Sequence, residues 1–186
     1  MNLKIVCFLI LTTTSCASTS TRIPNSVTES NWVTGYDNAT SQLIPSQGTN
    51  PVVKENGKAI LHVKFNVKQY GEVSFPINSA TAEGAEALRA DLSKSRGIKI
   101  TYLSNHECII QLRQTGVHGG IHNHIVLPAS EYETTRIISF SEFKGGKTPL
   151  DLADVAKFNF AFLSNNPGEG FAELKIRSFA INNYKP

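Results

Sequence analysis

The chain has 186 residues, a formal net charge of +3, three cysteines and 40% hydrophobic residues. That length suits one domain with a substantial core. The basic residues are scattered, and a nucleic-acid partner would need a concentrated basic footprint, so that class of function is excluded.

The first element is a leader. Lys4 is the only charge in the first twenty residues, and Ile5 to Leu11 follows it as a short apolar run. A positive start, a short apolar stretch and small residues before a cleavage point define a secretory signal, assigned to 1–15. The run is far short of the roughly 20 apolar residues that span a bilayer. Thr14-Ser15-Cys16 resembles a bacterial lipobox, although Thr13 stands where Leu or Val is usual. The resemblance implies lipid on Cys16, a membrane partner through that anchor, and an exported protein of the cell envelope. Ala17, in place of Asp, implies passage to the outer membrane. Ordinary cleavage near Ala17 is the alternative. With Cys7 in the leader and Cys16 lipidated, Cys108 has no partner for a disulfide and is expected as a buried thiol.

Residues 16–30 read as lipid attachment and a flexible tether, because Ser, Thr, Asn and Pro dominate with few apolar side chains. The domain is assigned to 31–186, with order expected from Trp32. Leu61, Val63, Phe65 and Val67 alternate with His62, Lys64, Asn66 and Lys68, the mark of a strand with one buried face. Glu72 to Ile77 continues as a second strand. Ile98, Ile100 and Tyr102 form another run, and Cys108, Ile110 and Leu112 form the next after the Asn105-His106 turn. Ile121 to Leu127, Thr135 to Phe140, Phe158 to Phe162 and Phe171 to Asn182 complete the set, and only 83–89 looks helical. Many strands between Gly, Asn and Pro turns predict an all-β, two-sheet antiparallel β-sandwich or barrel.

Several segments, in order, resemble one family. Asp91 to Ile98 is similar to a "DLS…GI" strand entry, Ile110-Gln111-Leu112-Arg113 to "VQLR", Ile138 to Phe143 to "IPFSDF", and Leu150 to Val155 to "LDL-x-x-I". Together they resemble the galactose-binding-like jelly rolls, nearest to family-11 carbohydrate-binding modules and the domain of complex I intermediate-associated protein 30. The resemblance implies a jelly roll with a concave outer face that holds a polysaccharide or oligosaccharide. Where many such domains place a calcium-binding Ile-Asp-Asn stretch, this chain has Ile176-Arg177-Ser178-Phe179, and arginine cannot ligate calcium. No cofactor is expected.

If Ile110 and Leu112 point inward, Gln111 and Arg113 point outward; if Ile121 and Ile125 point inward, so do His122 and His124 outward. These four, with Tyr132 and Tyr102 as stacking aromatics, form the expected ligand-binding set. Trp32 and Tyr36 are further aromatic candidates. Tyr102 falls on the inward alternation, where it would serve the core. His118, His122 and His124 raise a zinc site, but no acid of the usual ligand kind is near, so no metal is assigned. No nucleophile motif, phosphate loop or facing pair of carboxylates points to an enzyme. Glu142 and Asp151 match positions tied to the fold. Asn38-Ala39-Thr40 is a sequon that a bacterial lipoprotein would not use. The expected function is non-catalytic glycan binding, with envelope assembly through a protein partner on the same face as the alternative.

Overall fold

The computed structural model describes residues 27, 32–46, 50–78, 87–163 and 171–184. The leader, Cys16 and nearly all of the expected tether lie outside the described residues. Val27 is the exception. It falls inside the expected tether, yet it is fully buried in the core.

Eleven strands are described: β1 (Val33–Tyr36), β2 (Ser41–Ile44), β3 (Val52–Glu55), β4 (Lys58–Asn66), β5 (Tyr70–Pro76), β6 (Gly97–Ser104), β7 (Cys108–Gln114), β8 (Asn123–Leu127), β9 (Ser130–Ser139), β10 (Val155–Leu163) and β11 (Ala172–Asn182). They form two antiparallel sheets. Sheet A has the order β1-β5-β10-β7-β8, and sheet B has β2-β4-β11-β6-β9 with β3 also pairing β4. The protein is an all-β sandwich, as the alternation predicts.

The core lies between the sheets and follows from the period of two. Leu61, Val63 and Phe65 of β4, Phe158, Phe160 and Phe162 of β10, and Leu174, Ile176 and Phe179 of β11 are all fully buried. Trp32 packs with ring centroids 5.1 Å from Phe75, 5.6 Å from Phe160 and 5.9 Å from Phe179. It is therefore core, and Tyr36 is partly buried against that core, its ring 6.3 Å from Phe65. Cys108 is a free, buried thiol, and burial pushes its pKa far up.

Two segments depart from the sequence reading. Within 83–89 the described residues 87–89 are not helical, and Leu88 instead makes an antiparallel bridge to Asn78. Ile121 does not point inward; it precedes β8 and is 61% exposed, while Asn123 takes the inward position. The segment that resembles "IPFSDF" forms a 3-10 turn at Phe140–Glu142 closed by a capping box. The Ser139 N–H donates to Glu142 Oε1 at 2.7 Å, and the Ser141 N–H donates to Ser139 Oγ at 3.3 Å, which satisfies donors the short turn leaves open. The Ala153 N–H donates to Asp151 Oδ1 at 2.9 Å. Both acids therefore hold backbone, in keeping with a role in the fold.

Candidate functional site

The inward side chains of sheet A determine what its other face displays. Because Val73 and Phe75, Phe158 to Phe162 at alternate positions, and Ile110 and Leu112 are buried, the residues between them face out. The registers align these into rows that run across the sheet. One row is Pro76, Lys157 and Arg113. The next is Val33, Ser74, Asn159, Gln111 and His124, and the third is Gly35, Glu72, Ala161, Ile109 and Val126. Tyr70, paired with Leu163, follows one row further.

The middle row is the floor of this face. Ser74 and Asn159 look outward but are only 4% and 3% exposed. Ser74 Oγ donates to Asn159 Oδ1 at 2.9 Å, and Lys157 Nζ donates to Ser74 Oγ at 3.3 Å. The lysine thus lies across the floor and covers it. Glu72 leans the other way, over the bare backbone of Gly35, where an added Cβ would stand 3.4 Å from Glu72 Oε1. Burial raises the Glu72 pKa, and the charges of Lys157 and Arg113 oppose that rise.

The histidines flank the β8 edge. The His122 pKa is lowered by burial first and then by the charges of Arg113 and Lys157. His124 pairs its backbone with Lys144 in both directions, at 3.0 and 3.1 Å. Its Nδ1 bonds the His122 carbonyl oxygen at 2.9 Å, and since a carbonyl only accepts, Nδ1 carries the proton. The turn that holds this ring is fixed by Asn123, which donates to the Thr148 carbonyl at 2.9 Å and accepts from the Gly146 N–H at 3.1 Å. Gly145, at φ +78°, sits against the ring, where a Cβ would come within 3.2 Å of the His124 Cε1.

Four of the expected ligand residues therefore come together: Gln111, Arg113 and His124 on the sheet A face, with His122 at its edge. The two tyrosines do not join them. Tyr102 is fully buried between the sheets and donates its hydroxyl to the Pro128 carbonyl at 2.9 Å, so its place in the ligand set is corrected to core. Tyr132 belongs to β9, at the edge of the opposite sheet. There the register slips between Tyr102 and Ser104, and the Tyr132 carbonyl accepts from Ser130 Oγ at 2.8 Å, leaving the ring 80% exposed. It thus belongs to the sheet opposite the one that carries Gln111. His118 is exposed, and among the described residues no three His, Cys, Asp or Glu side chains form a metal-binding group.

Sequence reasoning missed Glu72, Ser74, Lys157, Asn159 and Tyr70. The signal was present in the alternation of β5 and β10. What it lacked was the knowledge that these strands lie beside β7.

The outer face of sheet B is chemically different. Glu173 contacts His62 at 2.7 Å and Lys64 at 3.2 Å, and Glu55 contacts Lys175 at 3.1 Å and also meets Arg177, which reaches Glu133 at 3.9 Å. A cleft of about 410 Å³ opens there, lined by residues including Glu55, Thr101, Glu133 and Arg177. Its charges are matched to one another along the strands.

No protein-family model matches the sequence, and no curated protein matches it. Solved structures do resemble the fold. The family 11 carbohydrate-binding module of the cellulosomal cellulase Lic26A-Cel5E of Clostridium thermocellum superposes with a TM-score of 0.62 at 15% identity, covering 88% of this chain and 94% of that one. The family 11 module from Clostridium thermocellum in complex with a beta-1,3-1,4-mixed-linked tetrasaccharide gives 0.58 at 14% identity, covering 82% and 88%. The family 30 module of the cellulosomal cellulase Cel9D-Cel44B of Clostridium thermocellum gives 0.53 at 13% identity, covering 84% and 93%. At these identities the likeness is one of fold, and the fold is that of the carbohydrate-binding jelly rolls.

Proposed function

We propose that the chain is a non-catalytic carbohydrate-binding lipoprotein of the bacterial cell envelope, holding a polysaccharide across the outer face of sheet A. The observation that carries this reading is the polar face itself. Ser74, Gln111, Arg113, Lys157, Asn159 and His124 lie on four adjacent strands, β5, β10, β7 and β8, of a jelly roll whose structural neighbours are carbohydrate-binding modules. Sugar hydroxyls both donate and accept, and this face offers an amide, a guanidinium, an ammonium and an imidazole within one patch. Glycosidic cleavage takes a pair of carboxylates. Among the described residues of the three central rows, Glu72 is the one carboxylate, which favours binding over cleavage. The lipid on Cys16 would hold this face at the envelope.

Affinity electrophoresis of the purified full chain through gels containing neutral and acidic polysaccharides tests the reading. Retardation by at least one polymer, reduced in Gln111→Ala, is expected. Free migration through every polymer would overturn it. For the anchor, Cys16→Ser is expected to move the protein from the detergent phase to the aqueous phase in a partitioning experiment; unchanged partitioning would remove the lipid from the proposal.

A further inference from the structure

We infer that the outer face of sheet B carries a second glycan site, a charge-balanced cleft that takes a neutral saccharide by its hydroxyl groups. The inference goes beyond the site proposed on sheet A and rests, with it, on the reading that the domain binds glycan.

The cleft, of about 410 Å³, lies where the regular pleat of sheet B is broken twice. In β11 the register shifts between Ile176 and Ser178, so Arg177 and Ser178 both fall between the inward residues Ile176 and Phe179. In β9 three residues, Glu131 to Glu133, stand opposite the single residue Leu103 of β6. Bulges of this kind re-aim side chains and are enriched beside functional sites. Between the two bulged strands, β6 supplies Thr101 to the cleft. Ser178, Thr101 and Thr135 are partners across the three strands, and the Thr101 and Thr135 hydroxyls bond at 2.8 Å. The far wall is the β3–β4 hairpin. Its turn residues Asn56 and Gly57 take φ values of 52° and 75°, the left-handed pair of a tight two-residue turn, which holds Glu55 and Lys58 at the rim. Ile60, on the outward alternation of β4, is 1% exposed yet stands apart from the core between the sheets, and it lines the cleft.

Arg177 reaches across this cleft. It meets Glu55 of β3 on one side, and its Nε stands 3.9 Å from a Glu133 carboxylate oxygen of β9 on the other. The second contact exceeds hydrogen-bond length, so it occupies none of the acceptor positions of Glu133.

These features select the ligand. The lining holds two acids, Glu55 and Glu133, and two cations, Lys58 and Arg177, so it offers an ionic ligand no net charge. A carboxylate beside a row of hydroxyls provides acceptors and reversible donors in one patch, and sugar hydroxyls both donate and accept. The volume falls in the roughly 300–1,000 Å³ range of small-ligand sites. Glu173 lies outside the lining.

Affinity electrophoresis of the full chain through neutral and acidic polysaccharide gels tests the inference, each mobility referred to the same protein in a polymer-free gel. Retardation by at least one neutral polymer is expected to persist in part in Gln111→Ala. Thr101→Val and Glu133→Ala should each weaken retardation about threefold or more, and either one joined to Gln111→Ala should abolish it. Thermal unfolding of each variant shows whether it folds, and Glu133, with a half-exposed side chain, is the safer site for substitution. Ile137→Thr, on an exposed side chain of β9 outside the cleft, should leave retardation unchanged. Unchanged retardation in folded Thr101→Val and Glu133→Ala would overturn the inference and leave the site on sheet A standing. Residual retardation of Gln111→Ala by acidic polymers alone would also overturn it. A loss in Glu133→Ala with none in Gln111→Ala would keep the sheet B site and overturn the one on sheet A. Free migration of the parent through every polymer would overturn both.

Discussion

At the scale of single residues, Asp37 shows how one carboxylate can join two turns. Its oxygens accept from the Ala39 and Thr40 N–H groups at 2.8 and 3.1 Å and from the Gln69 and Tyr70 N–H groups at 3.0 and 2.9 Å. The Thr40 hydroxyl also donates to Asp37, and it accepts from the Lys68 N–H at 2.7 Å. The turn after β1 is thereby clipped to the turn before β5, which carries the first row of the candidate face. Partial cover from water pushes the Asp37 pKa up, but the donors outweigh it and hold the pKa well below the usual carboxylate range. A pKa depressed in the folded state contributes stability above the unfolded value of roughly 3.9, and that stability is lost as pH falls through the folded value. Asp37→Asn is therefore expected to lower the unfolding temperature at neutral pH, with the gap to the parent closing below about pH 4. A gap that stays constant across acid pH would show that the charge is not what the donors read.

At the scale of elements, β11 holds the sandwich together through Phe179. Its ring meets Phe75 of β5 at 5.4 Å, Phe158 and Phe160 of β10 at 5.2 and 5.5 Å, and Trp32 at 5.9 Å, so one side chain of sheet B touches two strands of sheet A. Phe179→Ala removes that contact and leaves a cavity, at an expected cost of about 3–5 kcal/mol read from denaturant unfolding. A loss below ~1 kcal/mol would mean the core closes over the gap. Phe179 also shows what the sequence could and could not reveal. The alternation in β4, β6, β7 and β10 is long enough to assign inward and outward positions from one dimension, whereas β11 changes phase at the bulge between Ile176 and Ser178, so that Phe179 points inward three residues after Ile176. β1, β2 and β3 have four residues each, too few to show a period, and none was read as a strand. Tyr132 precedes the Thr135 to Phe140 run that the sequence marks as a strand, so its place on β9 of sheet B is not legible in one dimension. For the candidate face, Gln111 and Arg113 were legible because β7 alternates cleanly. Lys157 and Asn159 alternate just as cleanly, but they join Gln111 only because β10 inserts between β5 and β7, and that order is a property of non-local pairing.

At the scale of the whole molecule, the two sheets share one core and carry different chemistry on their outer faces. Sheet B joins Glu55, Glu133 and Glu173 to Lys64, Lys175 and Arg177, cation against acid along β3, β4, β9 and β11, with His62 hydrogen-bonded to Glu173. Burial pushes the Glu173 pKa up, but hydrogen bonds from His62 and Lys64 outweigh it and hold the pKa below its ordinary value. Sheet A sets Gln111, Arg113 and Lys157 around a floor of Ser74 and Asn159, with Lys157 Nζ on Ser74 Oγ. Partly exposed ion pairs contribute about 0–1 kcal/mol each. Mutations on the two faces should therefore separate. Glu173→Gln is expected to cost at most about 1 kcal/mol in unfolding free energy and to leave polysaccharide retardation unchanged. Gln111→Ala, on an outward half-buried side chain, should leave stability nearly unchanged and reduce retardation. If Glu173→Gln weakened binding as much as Gln111→Ala did, the ligand would have to engage both faces. A sandwich with its core between the sheets cannot present both to one short glycan segment, so that result would move the site to the sandwich edge.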